Sequence, residues 1–195
     1  MLIVLNARFF KNINPYFFML HVLLILQRLQ LEEINFNGCS LMHGQLSSLA
    51  PLSESLAHVN LQGCKLLKGD LLFASSLAAC LMHLNLEGCG GMTGNLDALS
   101  LCNRLTWVSV AGCTVLKGNI SEVFRSLPHL EHVNLSGCLH ATGDVHAAFG
   151  HCRHLKHVNV SNCERIHGDL FAAVAVKCAK HLTHVEARNC DQVCC

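Results

Sequence analysis

At 195 residues, 51% of them hydrophobic and 14% charged, the chain has the length of one domain or one array and enough apolar content to bury a core without covalent staples. A formal net charge of +1 removes the electrostatic argument for nucleic acid or an anionic membrane surface as partner. Thirteen cysteines would suggest a disulfide framework in a short secreted chain, but the count is odd and seven fall at one fixed spacing, so the spacing must be explained before any chemistry is assigned.

Met1–Gln30 stands apart from the rest of the chain. Tyr16–Leu26 (YFFMLHVLLIL) is an apolar run broken only by His21, with Arg8 and Lys11 ahead of it. The following QRLQLEEI offers no small-residue cleavage site, and the run is shorter than the roughly 20 residues that span a bilayer. A degenerate first repeat or a packed capping helix is the leading expectation for residues 1–30; a targeting sequence and a foreign segment are the alternatives.

From Leu31 onward a unit recurs. Cys39, Cys64, Cys89, Cys113, Cys138, Cys163 and Cys190 each lie eight residues after a leucine, namely Leu31, Leu56, Leu81, Leu105, Leu130, Leu155 and Leu182, with a period of 24 to 27 residues. Between them runs L-x-x-(I/V/L)-x-(F/L/V/A)-x-(G/N)-C. In six copies a glycine follows five residues after the cysteine, at Gly44, Gly69, Gly94, Gly118, Gly143 and Gly168. In His58-Val-Asn-Leu61 the alternation has period 2, which predicts a short half-buried strand with Val59 and Leu61 inward and His58 and Asn60 outward. Stacked copies make a parallel sheet. Five of the six glycines precede Asp or Asn, and each such pair predicts a reversal of the chain. Ser121–Leu127 and Asp169–Cys178 suit two or three turns of helix, with Ser121 as a cap.

This pattern resembles the leucine-rich-repeat family, whose unit has the same spacing and accepts cysteine where asparagine is commoner. The resemblance covers Leu31–Cys190, about four fifths of the chain. The L-x-G-(D/N)-(L/I) continuation, as in LLKGDL and MTGNL, is similar to plant-type repeats. The resemblance implies an α/β solenoid of about seven units over residues 31–195, with a parallel sheet on the concave face and short helices on the convex face. It also implies a non-catalytic scaffold for protein recognition, the alternative being the regulatory or targeting array of a larger enzyme or receptor whose catalysis lies outside this chain. The array stops at Cys195 without an evident polar cap, and solenoids need capped ends. A truncated C-terminus, or self-association through uncapped ends, is therefore expected.

The periodic cysteines read as a ladder of small buried thiols, each donating weakly to a neighbouring carbonyl. Cys102 and Cys152 occupy a packing position, since Leu127 stands there in another copy. No C-x-x-C pair supports a zinc ribbon, and so many unpaired thiols suggest a reducing, cytoplasmic or nuclear compartment.

The outward positions carry the candidate site. The third position of each repeat reads Glu33, His58, His83, Trp107, His132, His157 and His184; the fifth reads Asn35, Asn60, Asn85, Ser109, Asn134, Asn159 and Glu186. His58, Asn60, His83, Asn85, Trp107, His132, Asn134, His157, Asn159 and His184 are the expected partner-binding residues. Trp107 is either the central anchor, in which case its truncation leaves thermal stability nearly unchanged, or merely a cover over its neighbours His83 and His132. His129, His154 and His181 add a second column, so that the last three repeats carry H-x-x-H. Ladder neighbours held parallel about 4.8 Å apart do not converge on a zinc ion at about 2.0–2.1 Å, so the motif reads as decoration copied with the repeat, and neither metal nor cofactor is expected. Adjacent imidazoles disfavour each other's protonation, which predicts binding that changes between about pH 5 and 7. No nucleophile, base and orienting acid converge, so no catalysis is expected.

Overall fold

The structure, a computed structural model, describes residues 3–6, 30–42, 44–47, 49, 54–175 and 180–194. Its main sheet has eight parallel strands in chain order: Ile3–Asn6, Leu31–Asn35, His58–Asn60, His83–Asn85, Trp107–Ser109, His132–Asn134, His157–Asn159 and His184–Glu186. The alternation dictates this. Ile34, Val59, Leu84, Val108, Val133 and Val158 point inward and are fully buried, and the apolar residues two positions on, from Phe36 to Val160, join the same continuous core. Ile3–Asn6 pairs in parallel with Leu31–Asn35. Tyr16–Leu26, on which the expectation for residues 1–30 turned, lies outside the described residues.

Each strand ends in the same turn. The residue before each ladder cysteine has positive φ: Gly63 at 75°, Gly137 at 74°, and Asn162 and Asn189 at 57° and 55°. Asparagine is among the few side chains that tolerate this region, which explains the G/N choice in the pattern. The turn N–H reaches across to the next repeat, as Gly63 N–H donates to the Glu87 carbonyl at 2.7 Å. The cysteine then points inward and donates backward. Cys64, Cys89, Cys113, Cys138, Cys163 and Cys190 reach the carbonyls of Phe36, Leu61, Leu86, Val110, Leu135 and Val160 at 2.8–3.3 Å. Cys102 and Cys152 are fully buried in the expected packing position. Burial pushes the thiols of Cys64 and Cys113 up to about 12 and those of Cys89, Cys102 and Cys163 to about 11, so they stay protonated.

Beyond the cysteine the chain makes short parallel strands, in one group Gly44–Gln45, Leu67–Asp70 and Gly91–Thr93 and in another Lys117–Asn119, His140–Asp144, Ile166–Asp169 and Val193–Cys194. Here glycine is required twice over. Gly143 has φ 118°, and a Cβ on it would collide with Asn119 Oδ1 and Ser121 Oγ of the preceding repeat.

The convex side differs from the sequence expectation. Its α-helices are short: Phe73–Ser76, Ile120–Phe124, Val145–Phe149 and Leu170–Ala175, with Leu96–Leu101 a 3-10 helix. Phe73–Ser76, Ile120–Phe124 and Val145–Phe149 span one to one and a half turns, so the segment Ser121–Leu127 forms fewer than the two or three turns expected, because each unit must return to the next strand about 4.8 Å away and few residues remain for the detour. The end of the segment Asp169–Cys178 lies outside the described residues. Nor is Ser121 a cap. Asn119 caps its helix by accepting from the Ser121 N–H at 3.0 Å, while the Ser121 hydroxyl joins the next repeat, donating to the Asp144 carbonyl and accepting from its N–H at 2.8 Å. In four units the asparagine or aspartate after the regularly spaced glycine does the capping: Asn95 and Asn119 accept from Asp97 and Ser121, and Asp144 and Asp169 accept from Ala147 and Ala172 at 2.7 and 2.8 Å; Phe73–Ser76 has no side-chain cap. No helix among the described residues is long and apolar enough to cross a membrane.

Candidate binding surface

The third-position residues are direct register partners: Glu33 with His58, His58 with His83, His83 with Trp107, Trp107 with His132, His132 with His157 and His157 with His184. That register brings six rings into one column on the outer, concave face of the sheet. Ring centroids lie 4.2 Å apart for His83 and Trp107, 4.3 Å for Trp107 and His132, and 4.2 Å for His132 and His157, with interplanar angles of 10–13°. The ends loosen, to 6.1 Å between His58 and His83 and 5.6 Å between His157 and His184. Trp107 is half-buried between its two neighbours, so its ring covers them as well as facing outward.

Packing sets the electrostatics. Burial first, and the neighbouring imidazoles second, push His83 and His132 down to about 4; the same causes lower His157. The two histidines flanking Trp107 therefore stay neutral over most of the expected window of pH 5–7 and are not the groups that would carry a change of binding there. The stack is uncharged at its centre near neutral pH.

The fifth-position amides have a structural role that the sequence did not suggest. The Oδ1 atoms of Asn60, Asn85, Asn134 and Asn159 accept from the backbone N–H two residues on, at 2.9–3.2 Å, which ties down the strand exit. Asn85 is buried, 6% exposed, and offers little to a ligand. Ser109 interrupts the column; it is fully buried, and its hydroxyl has no hydrogen-bond partner among the described residues.

Beside the stack, on the side where the strands begin, lie two adjoining depressions. One of about 440 Å³ is walled by His83, Trp107, His132 and His157 and completed by Thr106, Glu131, Lys156 and Thr183. The other, of about 420 Å³, is lined by Met82, Arg104, Thr106, His129, Glu131 and His154. Lys156 pairs with Glu131 at 2.6 Å between the two. His129 and His154 were visible in the H-x-x-H repeat, but Arg104 was not; its signal was its place immediately before Leu105, where His129 and His154 stand before Leu130 and Leu155. Among the described residues no group of three or more His, Cys, Asp or Glu side chains converges as a metal site.

No protein-family model matches the sequence, and no curated protein matches it. Among solved structures the chain is similar to a TDR receptor, with TM-score 0.62 and 17% identity over 86% of this chain and 28% of that one. It is similar to the plant peptide hormone receptor RGFR1 in complex with RGF2, with TM-score 0.56 and 14% identity over 80% of this chain and 23% of that one. It is also similar to an internalin C2 from Listeria monocytogenes, with TM-score 0.54 and 12% identity over 84% of this chain and 61% of that one. The chain thus spans between 23% and 61% of the length of these neighbours. At such identities the likeness speaks for the fold, and together with the register of strands, thiols and glycines it makes this chain a leucine-rich-repeat solenoid.

Proposed function

We propose that the array is a non-catalytic scaffold that binds a protein partner on the concave face of its sheet, with the ring column as the contact surface and Trp107 as its anchor. The observation that supports this best is the column itself. Three close ring contacts centred on Trp107 and His132 pre-order a neutral aromatic strip that stays partly exposed, so a partner meets it without first paying to order the side chains. His58 and His184 extend the strip to either end, and Asn60, Asn134 and Asn159, half-buried with their Oδ1 atoms engaged in turns, border it as scaffolding. The histidines stand in ladders and the ladder thiols are buried and protonated, which supports binding over catalysis. Free thiols in every repeat support a reducing, cytoplasmic setting. One structural neighbour is a peptide hormone receptor in complex with RGF2, a precedent for a peptide bound by this fold.

Quantitative affinity capture with the parent and with Trp107→Ala, both held well below their thermal midpoints, tests the reading. A partner retained by the parent should bind the variant about thirtyfold more weakly, the equivalent of about 2 kcal/mol for a central aromatic anchor. A partner bound equally by both would move the site off the concave centre.

A further inference from the structure

A net charge of +1 hides an uneven distribution. The residue preceding each repeat's first leucine is Arg104, His129, His154 and His181 in the last four repeats, and Arg153 and Lys180 precede the last two of these. All six are exposed. They therefore share one rim of the sheet, at the strand entrances, and that rim borders the depression lined by Arg104, His129 and His154. The single carboxylate there, Glu131, is already held by Lys156 at 2.6 Å. Arg104 has no ion-pair partner among the described residues, so its planar fork faces the depression with its donors uncommitted. Apolar contact is available from Met82. The Thr106 and Thr183 hydroxyls donate to the carbonyls of Met82 and Lys156 and so present their lone pairs outward, as acceptors for a ligand's N–H groups.

We infer that this rim is a binding site for an acidic polypeptide segment, with Arg104 taking a carboxylate in the depression beside His129 and His154. A peptide is favoured over nucleic acid for a geometric reason. Recognition of single strands uses exposed aromatic faces on which bases stack. Here both faces of Trp107 and His132 are covered at 4.2–4.3 Å, and the outer faces of His83 and His157 are turned to His58 and His184 at 6.1 and 5.6 Å, so the centre of the column presents edges rather than open faces. The inference deepens the scaffold reading by naming the partner's chemistry, and it rests on that reading only in placing the segment beside the ring column.

Fluorescein-labelled octaglutamate, followed by anisotropy at pH 7 and low ionic strength, is the probe. It should bind the parent, lose affinity as salt shortens the screening length from about 30 Å toward 8 Å, and bind Arg104→Gln about tenfold more weakly. Lys117→Gln, which removes an exposed cation among the short strands beyond the cysteine turn, should bind as the parent does. Equal affinity for Arg104→Gln and parent would overturn the inference, as would equal binding of octalysine. Tighter binding of an oligothymidylate of matching charge would transfer the rim to nucleic acid and overturn it too. Because the probe does not depend on the unidentified partner, its failure leaves the Trp107-dependent capture standing, and failure of the capture leaves the probe result standing.

Discussion

Trp107 and His132 lie face to face, 4.3 Å between ring centroids and 10° from parallel, as register partners on neighbouring strands. With His83 stacked on the other face of the indole, Trp107 is a structural element as well as an exposed one. Trp107→Ala is therefore expected to destabilise, contrary to the near-neutral effect that an isolated anchor implies. Two aromatic contacts at about 0.5–1.5 kcal/mol each, and roughly 2–4 °C per kcal/mol for a domain of this size, place the drop in thermal midpoint at about 2–12 °C. An unchanged midpoint by circular dichroism would refute the stack's contribution.

Stability should fall with acid over a defined window. In the folded chain His83 and His132 titrate at about 4 against an ordinary 6.5, so between these values the unfolded chain binds more protons. The sign follows: stability is full above pH 6.5 and declines as the pH drops toward 4. Thermal melts at intervals across that range should show the decline, and His132→Gln should flatten it. A midpoint that rises on acidification to pH 5 would contradict the assigned shifts.

The thiol ladder should be chemically silent in the native state. Cys89, Cys113 and Cys163 are fully buried and held at about 11–12, whereas Cys80 is partly exposed. Alkylation at pH 8 followed by mass mapping should find Cys80 modified and the ladder unmodified until denaturant is added. Cys138→Ala, which removes the donor to the Val110 carbonyl and leaves a small void, should cost roughly 1–2 kcal/mol in a denaturant titration.

Two glycines make a matched test of the second turn. Gly143→Ala must place a methyl against Asn119 Oδ1 and Ser121 Oγ at φ 118°, and strain of that kind costs on the order of 1–3 kcal/mol. Gly90→Ala meets no atom within 4 Å and should stay within about 0.5 kcal/mol of the parent. Equal denaturation midpoints for the two variants would show that the close approach between repeats is not needed.

Ser109→Ala removes a fully buried hydroxyl that has no partner among the described residues. Relief of that desolvation should leave stability unchanged or raise it by up to about 1 kcal/mol, and a clear loss in the melting curve would reveal a bond the hydroxyl does make.

The repeat period, the parallel register, the inward thiols and the turn glycines were all legible in the sequence. Each rests on a spacing or a backbone angle that the local residue types set, as when Asn162 replaces glycine at φ 57° without changing the turn. The column of histidines and Trp107 could be named as well, because alternation along a strand decides which side chains face out. What the column does was decided only by tertiary structure. Ring stacking between residues 24 or 25 positions apart, and the desolvation that brings His83 and His132 to about 4, depend on the neighbours each ring meets in space. The same holds for Asn119 rather than Ser121 as the cap, for the amides turned inward to their own strand exits, and for Arg104, an ordinary surface residue in the sequence until the fold sets it in one depression with His129 and His154. Spacing along a chain specifies which side chains share a face, whereas hydrogen-bond capacity, burial and charge belong to the contacts, and those exist only once the repeats have stacked.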